Sequence, residues 1–300
     1  MICKLICITL IINRKPLYNS VVIYLLLSSL GSIIIPFVIR LSKGKAESNY
    51  GLYFCNYFMC LCLALAFNGE FKPLSYGKDM LPVLIVGAFT GVFYLVSLYY
   101  FDVCIQKCGI VVTTIFKKTQ LIVPILVSVV IFKHSMKFNQ FIGIALSLLA
   151  IIIMNYQKGS LSKINNLGVL LIGVITGGMS DSFKNIFNEL CNPALSNYFV
   201  IFLFAFALIS TGIAMLFIKS KISKYEMLYG FALGIPNFLS AQALTMALSR
   251  VNPVIAFPIN YMLTMVGTAL VGILFFKEKV DLKKIIAMII VIIAMIIINI

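Results

Sequence analysis

Residues 109–156 read GIVVTTIFKKTQLIVPILVSVVIFKHSMKFNQFIGIALSLLAIIIMNY, and this stretch decides the fold. Two long apolar segments flank the short polar hinge Lys133-His134-Ser135-Met136-Lys137. The first segment carries adjacent lysines, Lys117 and Lys118, where a helix in lipid should carry none. The pattern returns 144 residues later, over 253–300, as PVIAFPINYMLTMVGTALVGILFFKEKVDLKKIIAMIIVIIAMIIINI. In that register Ile131-Phe132-Lys133 falls on Phe275-Phe276-Lys277, Lys117 on Tyr261, Gln120 on Thr264 and Pro124 on Thr268. One helix pair is thus written twice, once with charge and once without.

The 300 residues are 62% hydrophobic and only 11% charged. Soluble domains carry about 25% charged residues, so lipid must be the solvent for most of this chain. The net charge of +15 lies between apolar runs rather than in a compact basic domain. It therefore reads as membrane topology and attraction to anionic lipid, not as nucleic-acid binding. The eight cysteines include no Cys-x-x-Cys pair and lie mostly within or beside apolar runs. They read as small buried hydrophobes, with no zinc or disulfide framework. His134, the one histidine, falls in a loop and is expected to be solvated rather than a ligand.

Hydrophobic runs place ten spans at 17–39, 50–67, 80–101, 109–132, 138–156, 166–187, 196–218, 227–248, 252–276 and 282–300. Each is close to the roughly 20 residues a spanning helix needs. Leu5 to Ile12 is too short to cross, and 1–16 reads as an N-terminal tail. The polar connection 157–165 divides a first five-helix unit, 17–156, from a second, 166–300. Gly87-x-x-x-Gly91 in the third span returns as Gly230-x-x-x-Gly234 in the eighth, and Gly173-x-x-x-Gly177 lies in the sixth. Such spacing lets helix backbones approach closely. Five spans per unit is an odd number, so the second unit enters the membrane from the opposite side. The expected fold is an all-α membrane protein, ten transmembrane helices in two inverted five-helix repeats. Many secondary transporters are built this way, with the substrate at the midplane.

Three features carry a family resemblance. A Gly or Pro opens the repeated span, as Gly109 and Asn252-Pro253; a proline or small residue follows, as Pro124 and Thr268; a phenylalanine-rich end meets a charged hinge. In these features 17–300 resembles tandem EamA domains of the drug/metabolite transporter superfamily. Phe276-Lys277-Glu278-Lys279 resembles the family's acidic hinge, whereas Phe132-Lys133-His134-Ser135 has His134 in place of the acid. Gly143 stands where the second half has Ala287. The resemblance implies transport of a small metabolite and leaves the substrate open.

Charges inside spans are the sharpest chemical signal, since each costs roughly 2.5–3.5 kcal/mol at a helix centre. Thr113, Lys117, Gln120 and Pro124 share a helix face at i, i+3, i+4 spacing. That face is expected to line a cavity, with Lys117 the first candidate for substrate contact and Lys118 on another face a lesser one. Asp181 and Lys184, at i, i+3, read either as an internal ion pair or as a gate or proton-coupling site. By helix rise they should lie some 10 Å deeper than Lys117, too far for a direct salt bridge. Asn260, Thr264 and Thr268 share a face in the ninth span beside Tyr261. They are candidates for hydrogen bonds to a ligand, or equally to neighbouring helices. Asn237, Gln242 and Tyr94 are lesser candidates, and Tyr99 and Tyr100 belong to an interfacial belt.

Lys and Arg in the connecting segments number eight on the side of the termini and thirteen on the other, Lys283 and Lys284 at the head of the last span included. Positive-inside counting therefore places the termini outside, against the family's usual cytosolic termini. There is no Walker motif, so ATP does not drive the protein directly. No metal or cofactor is expected. The leading reading is a secondary transporter of an anionic or zwitterionic solute in the plasma (inner) membrane, working by alternating access. A non-transporting scaffold or receptor is the alternative. A membrane enzyme is disfavoured by one histidine and one deep carboxylate. Expected partners are the solute and lipid.

Overall fold

The computed structural model describes residues 16–42, 44–46, 48–68, 77–108, 119–155, 167–276 and 282–299. Among the described residues the chain is all-α and has no strand. The helices are α1 Pro16–Ser42, α2 Asn49–Asn68, α3 Met80–Cys108, α4 Ile122–Leu126 continued by π-helical Val127–Ile131, and α5 Phe138–Asn155. They continue as α6 Leu167–Leu190, α7 Ser196–Ile218, α8 Lys224–Leu248, α9 Pro253–Phe276 and α10 Leu282–Asn299. Six of them, α1, α2, α3, α7, α8 and α9, are long and apolar enough to cross a bilayer. Helix is the form such runs must take, because lipid offers no partner for a backbone N–H or C=O. The 24 residues of α6 span about 36 Å, but this helix carries Asp181, Lys184 and Glu189.

Local chemistry fixes the helix starts. At α8 the Ser223 hydroxyl accepts from the Tyr225 amide, and the Glu226 carboxylate accepts from the Ser223 amide at 2.9 Å, a reciprocal capping box. Glu226 is fully buried and also accepts from the Ser48 amide at 3.0 Å, at the start of α2. One carboxylate thus serves two helix N-termini, where the aligned peptide dipoles favour negative charge. At α9, Asn252 Oδ1 accepts from the Val254 amide at 2.9 Å, and Pro253 occupies the first turn.

The helices pack across the halves more than within them. α8 lies against α1 and α2; α3 lies against α6 and α7; α5 pairs with α10, and α2 with α7. Small residues set these contacts. A Cβ on Gly87 would lie 2.7 Å from Phe202 Cβ, and one on Gly91 would lie 2.5 Å from the Leu203 carbonyl oxygen, both on α7. A Cβ on Gly230 would lie 2.5 Å from Cys55 Cβ, and one on Gly234 would lie 2.5 Å from Met59 Cβ, both on α2. The two glycine pairs read from the sequence therefore sit at equivalent crossings. Inside, Phe187 stacks on Phe199 with centroids 4.4 Å apart, within a cluster that also holds Tyr57, Phe204 and Phe238. Outside, large apolar side chains face outward, Phe217 at 84% exposure among them.

Cys55, Cys60, Cys62, Cys104 and Cys191 are in no disulfide; Cys55, Cys60 and Cys104 are buried as expected, whereas Cys62 is exposed. His134 is half-buried rather than fully solvated, and its Nε2 lies 2.7 Å from Glu189 Oε1. The expected tail and linker, 1–16 and 157–165, lie outside the described residues apart from Pro16, which opens α1.

A leucine at Gly91 or Gly230 should destabilise the detergent-solubilised protein by about 1–3 kcal/mol, the usual cost of overpacking. Gly168→Leu, where a Cβ meets nothing within 4 Å, should shift thermal unfolding little.

Candidate functional site

The deep charges of α6 lie in a seam with α4, α9 and α3. Asp181 and Lys184 are only 8% and 4% exposed, and Lys184 Nζ donates to Asp181 Oδ1 at 2.7 Å. The Tyr261 hydroxyl, from α9, donates to the other carboxylate oxygen at 2.7 Å. Gln120 Nε2, just before α4, donates to the Tyr261 oxygen at 2.7 Å. The Lys184 ammonium also lies 5.3 Å from the centre of the Tyr94 ring on α3, within cation–π range. Four helical segments therefore converge on one ion pair.

Small residues make room for this. A Cβ on Gly177 would collide with Gln120 Oε1, and one on Gly178 would collide with Val123. The approach of α4 to α6 sets the Gln120 amide against Tyr261. One turn further along α6 from Asp181, Asn185 Nδ2 donates to Ser128 Oγ at 2.9 Å, and Ser128 in turn donates to the Pro124 carbonyl at 2.7 Å. Ser128 stands in the π-helical turn of α4, a distortion often found at functional sites.

Of the residues singled out in the sequence, Gln120, Tyr261, Asp181 and Lys184 are brought together, with Tyr94 beside them. Thr113, Lys117 and Lys118 lie outside the described residues. Thr264 and Thr268 spend their hydroxyls on their own helix, donating to the carbonyls of Asn260 and Thr264 at 2.8 Å each. Asn260 is buried, and its Oδ1 has no hydrogen-bond partner. Asn237 donates to Asn56 Oδ1 at 3.2 Å and Gln242 to Asn197 Oδ1 at 2.8 Å, so both tie helices together. Sequence reading passed over Ser128, Asn185 and Asn188. Their signal was available in part, since Asn185 and Asn188 continue the Asp181–Lys184 stripe at helical spacing. Among the described residues no cluster of three or more His, Cys, Asp or Glu is placed to hold a metal.

The sequence model of the EamA-like transporter family matches residues 163–300. The second half is EamA-like. The family resemblance read from the hinge and span pattern is borne out over these residues, which hold α6 to α10 and both deep charges of α6. No curated protein matches the chain. Solved structures do: 28 chains match. One, a crystal structure of a protein 12% identical, superposes with a TM-score of 0.70 over 91% of this chain and 97% of its own. At that identity the likeness carries the fold alone. The EamA-like match over 163–300 and the six long apolar helices point to an integral, multi-pass membrane protein.

Removing one member of the buried pair leaves the other charge unmatched. Lys184→Ala should cost about 3–5 kcal/mol in thermal or denaturant unfolding, and Asp181→Asn combined with Lys184→Met should recover most of it. Tyr261→Phe removes a hydrogen bond to a charged group and should cost about 1.5–3 kcal/mol.

Proposed function

We propose that the protein is a secondary transporter of a small anionic or zwitterionic metabolite, such as an amino acid or a sugar derivative. It works by alternating access in the plasma (inner) membrane. The observation that carries this reading is the buried Asp181–Lys184 pair, bridged by Tyr261 to Gln120. Charges so deep in an apolar bundle are costly and usually functional. A packed scaffold gains little from them, because apolar residues of similar volume serve stability as well or better.

The pair also suits the substrate class. A zwitterion presents one group to each partner: its carboxylate takes the place of Asp181 at Lys184, and its ammonium takes the place of Lys184 at Asp181. No net charge is left unmatched at any stage. An anion needs Asp181 neutralised or an added cation, and Lys117 and Lys118 are the candidates for that cation. On this reading Asp181 and Lys184 are the gating or coupling pair. Lys117, Gln120, Thr113, Asn260, Tyr261, Thr264 and Lys118 face the solute.

Ten spans in two inverted repeats supply the motion. The helix contacts favour this, because exchanging the halves turns α8 on α1 into α3 on α6, and α8 on α2 into α3 on α7. The same exchange leaves α2–α7 and α5–α10 as they are. A pairing with that symmetry has a second arrangement of similar energy, which a rocking transporter requires.

Thermal-shift screening of the purified protein in detergent tests the reading, against amino acids, sugar phosphates, nucleotides and cationic drugs. One anionic or zwitterionic class should stabilise, by about 2.7 kcal/mol at a hundredfold excess over Kd. Lys117→Ala should abolish the shift, and counterflow of the same solute in proteoliposomes should then be measurable. Stabilisation by cationic drugs alone would overturn the substrate class. Binding without counterflow would favour a receptor.

A further inference from the structure

Two connections from different halves meet at one face of the bundle. The α1–α2 connection touches the α7–α8 connection through Ser48 and Ser220, whose hydroxyls share a hydrogen bond. The Ser48 amide donates to Glu226 Oε1 at 3.0 Å, at the start of α8. A Cβ on Gly51 would lie 3.1 Å from the Lys221 carbonyl oxygen. From the first connection, Lys45 Nζ donates to the Tyr229 hydroxyl at 2.9 Å and lies 5.6 Å from the centre of that ring. This docking gathers Lys45 with Lys219, Lys221 and Lys224, and all four are exposed.

The charge of this patch is not matched within it. Among the described residues Lys219, Lys221 and Lys224 form no ion pair, and Tyr229 gives Lys45 an oxygen but no counter-charge. The sequence adds Lys43 and Glu47, which cancel. Glu226 is fully buried and turns its oxygens to the Ser48 and Ser223 amides. The dipole of α7 accounts for one cation past its C-terminus, not for four. Lys219 also stands at φ 54, the left-handed conformation that glycine ordinarily takes at a helix end. The chain keeps a lysine there against the backbone preference. The far ends of the same helices are not basic. Beyond α2, residues 69–79 balance Lys72 and Lys78 with Glu70 and Asp79, and 189–195 before α7 carry Glu189 and no Lys or Arg. Membrane topology asks only that positive charge lie on one side. It does not ask that connections of two halves be docked into one cluster.

The neighbours of these lysines identify what covers them. Leu216, Phe217 and Ile218 fill the last turn of α7 before Lys219, and Ile222, Tyr225 and Leu228 follow it; all six are exposed. An apolar shelf beside clustered ammonium groups, with tyrosines at the boundary, matches a phospholipid, its acyl chains on the shelf and its phosphate at the lysines. A nucleotide or an acidic protein would use the charges and leave the shelf bare. We propose that this patch is a binding surface for an anionic phospholipid, whose headgroup lies among Lys45 of the first half and Lys219, Lys221 and Lys224 of the second. The surface is separate from the Asp181–Lys184 pair and does not depend on what the protein carries.

Native mass spectrometry of the full-length protein in a non-ionic detergent tests this, with dioleoyl phosphatidylglycerol and dioleoyl phosphatidylcholine as probes. The two share their acyl chains and differ in net charge. Phosphatidylglycerol should bind more tightly. Each of Lys45→Gln, Lys221→Gln and Lys224→Gln should weaken it about fivefold, the equivalent of one basic residue at an anionic surface, and leave phosphatidylcholine unchanged. Lys219→Gly removes a charge and also relaxes the backbone at φ 54. It should weaken phosphatidylglycerol to the same degree in a protein at least as stable as the parent, so poor folding cannot account for the loss. Lys133→Gln and Lys137→Gln, in the α4–α5 hinge, should change neither lipid. Equal affinity for the two lipids overturns the surface, as does phosphatidylglycerol binding that survives all four substitutions together. Glycerol 1-phosphate carries the same phosphate without the chains. Its competing at the concentration of the lipid would overturn the phospholipid in favour of a soluble anion.

Discussion

The close approach of helix backbones across the two halves is the constraint on which the rest depends. Lipid tails are as apolar as leucine, so helices in a membrane gain little from burying apolar surface against one another. They gain from contact, and contact is best where a glycine lets a neighbour's backbone come near. Here α3 presents Gly87 and Gly91 to α7, and α8 presents Gly230 and Gly234 to α2. Each half lends its third helix to the other. Among the described residues each buried apolar cluster draws side chains from both halves, the aromatic cluster around Phe187 and Phe199 included.

The two equivalent seams differ in chemistry. Between α8 and α2 lie Asn237 on Asn56, Cys60 Sγ at 3.3 Å from the Gly234 carbonyl oxygen, and Glu226 reaching the Ser48 amide. Between α3 and α7 the lining is apolar, with Val83, Phe199 and Leu203 all buried in one cluster. Polar contacts exchange readily with water, whereas parting apolar surfaces exposes them at roughly 25 cal/mol per Å². The two crossings are thus alike in geometry and unlike in lining.

Much of this was legible in the sequence, for reasons that differ from residue to residue. Span lengths and glycine pairs were readable because they rest on backbone spacing, which the chain carries locally. Asp181 and Lys184 stood out because charge in an apolar run is conspicuous, and their i, i+3 spacing already implied a shared face. Tyr261 stands out in the sequence as the counterpart of Lys117 and as a neighbour of Asn260. Its role as the donor that ties α9 to α6 depends on which hydroxyl meets which carboxylate, and that is a property of packing. The depth estimate set Asp181 about 10 Å from Lys117. Lys117 lies outside the described residues, but Gln120 is linked to Asp181 through Tyr261 by two hydrogen bonds of 2.7 Å. Asn185 and Asn188 were passed over because a neutral amide in a span is unremarked until its oxygen proves to have no donor.

The way the charges are matched bears on how such a site can be both selective and tight. A lone lysine in an apolar bundle would draw in any anion, or water, and would leak. A lysine held by its own carboxylate presents no net charge, so a passing ion gains nothing by entering. Only a molecule that replaces what it displaces can open the pair. Breaking the pair without replacement costs about 3–5 kcal/mol, which is a population penalty of about 160- to 4,600-fold. On the transport reading proposed above, a zwitterion offers that replacement through its two ends, and an anion offers it where Asp181 is neutralised. On that reading selectivity follows from electrostatic exchange at the pair, whose carboxylate is held by Tyr261 and, through it, by Gln120.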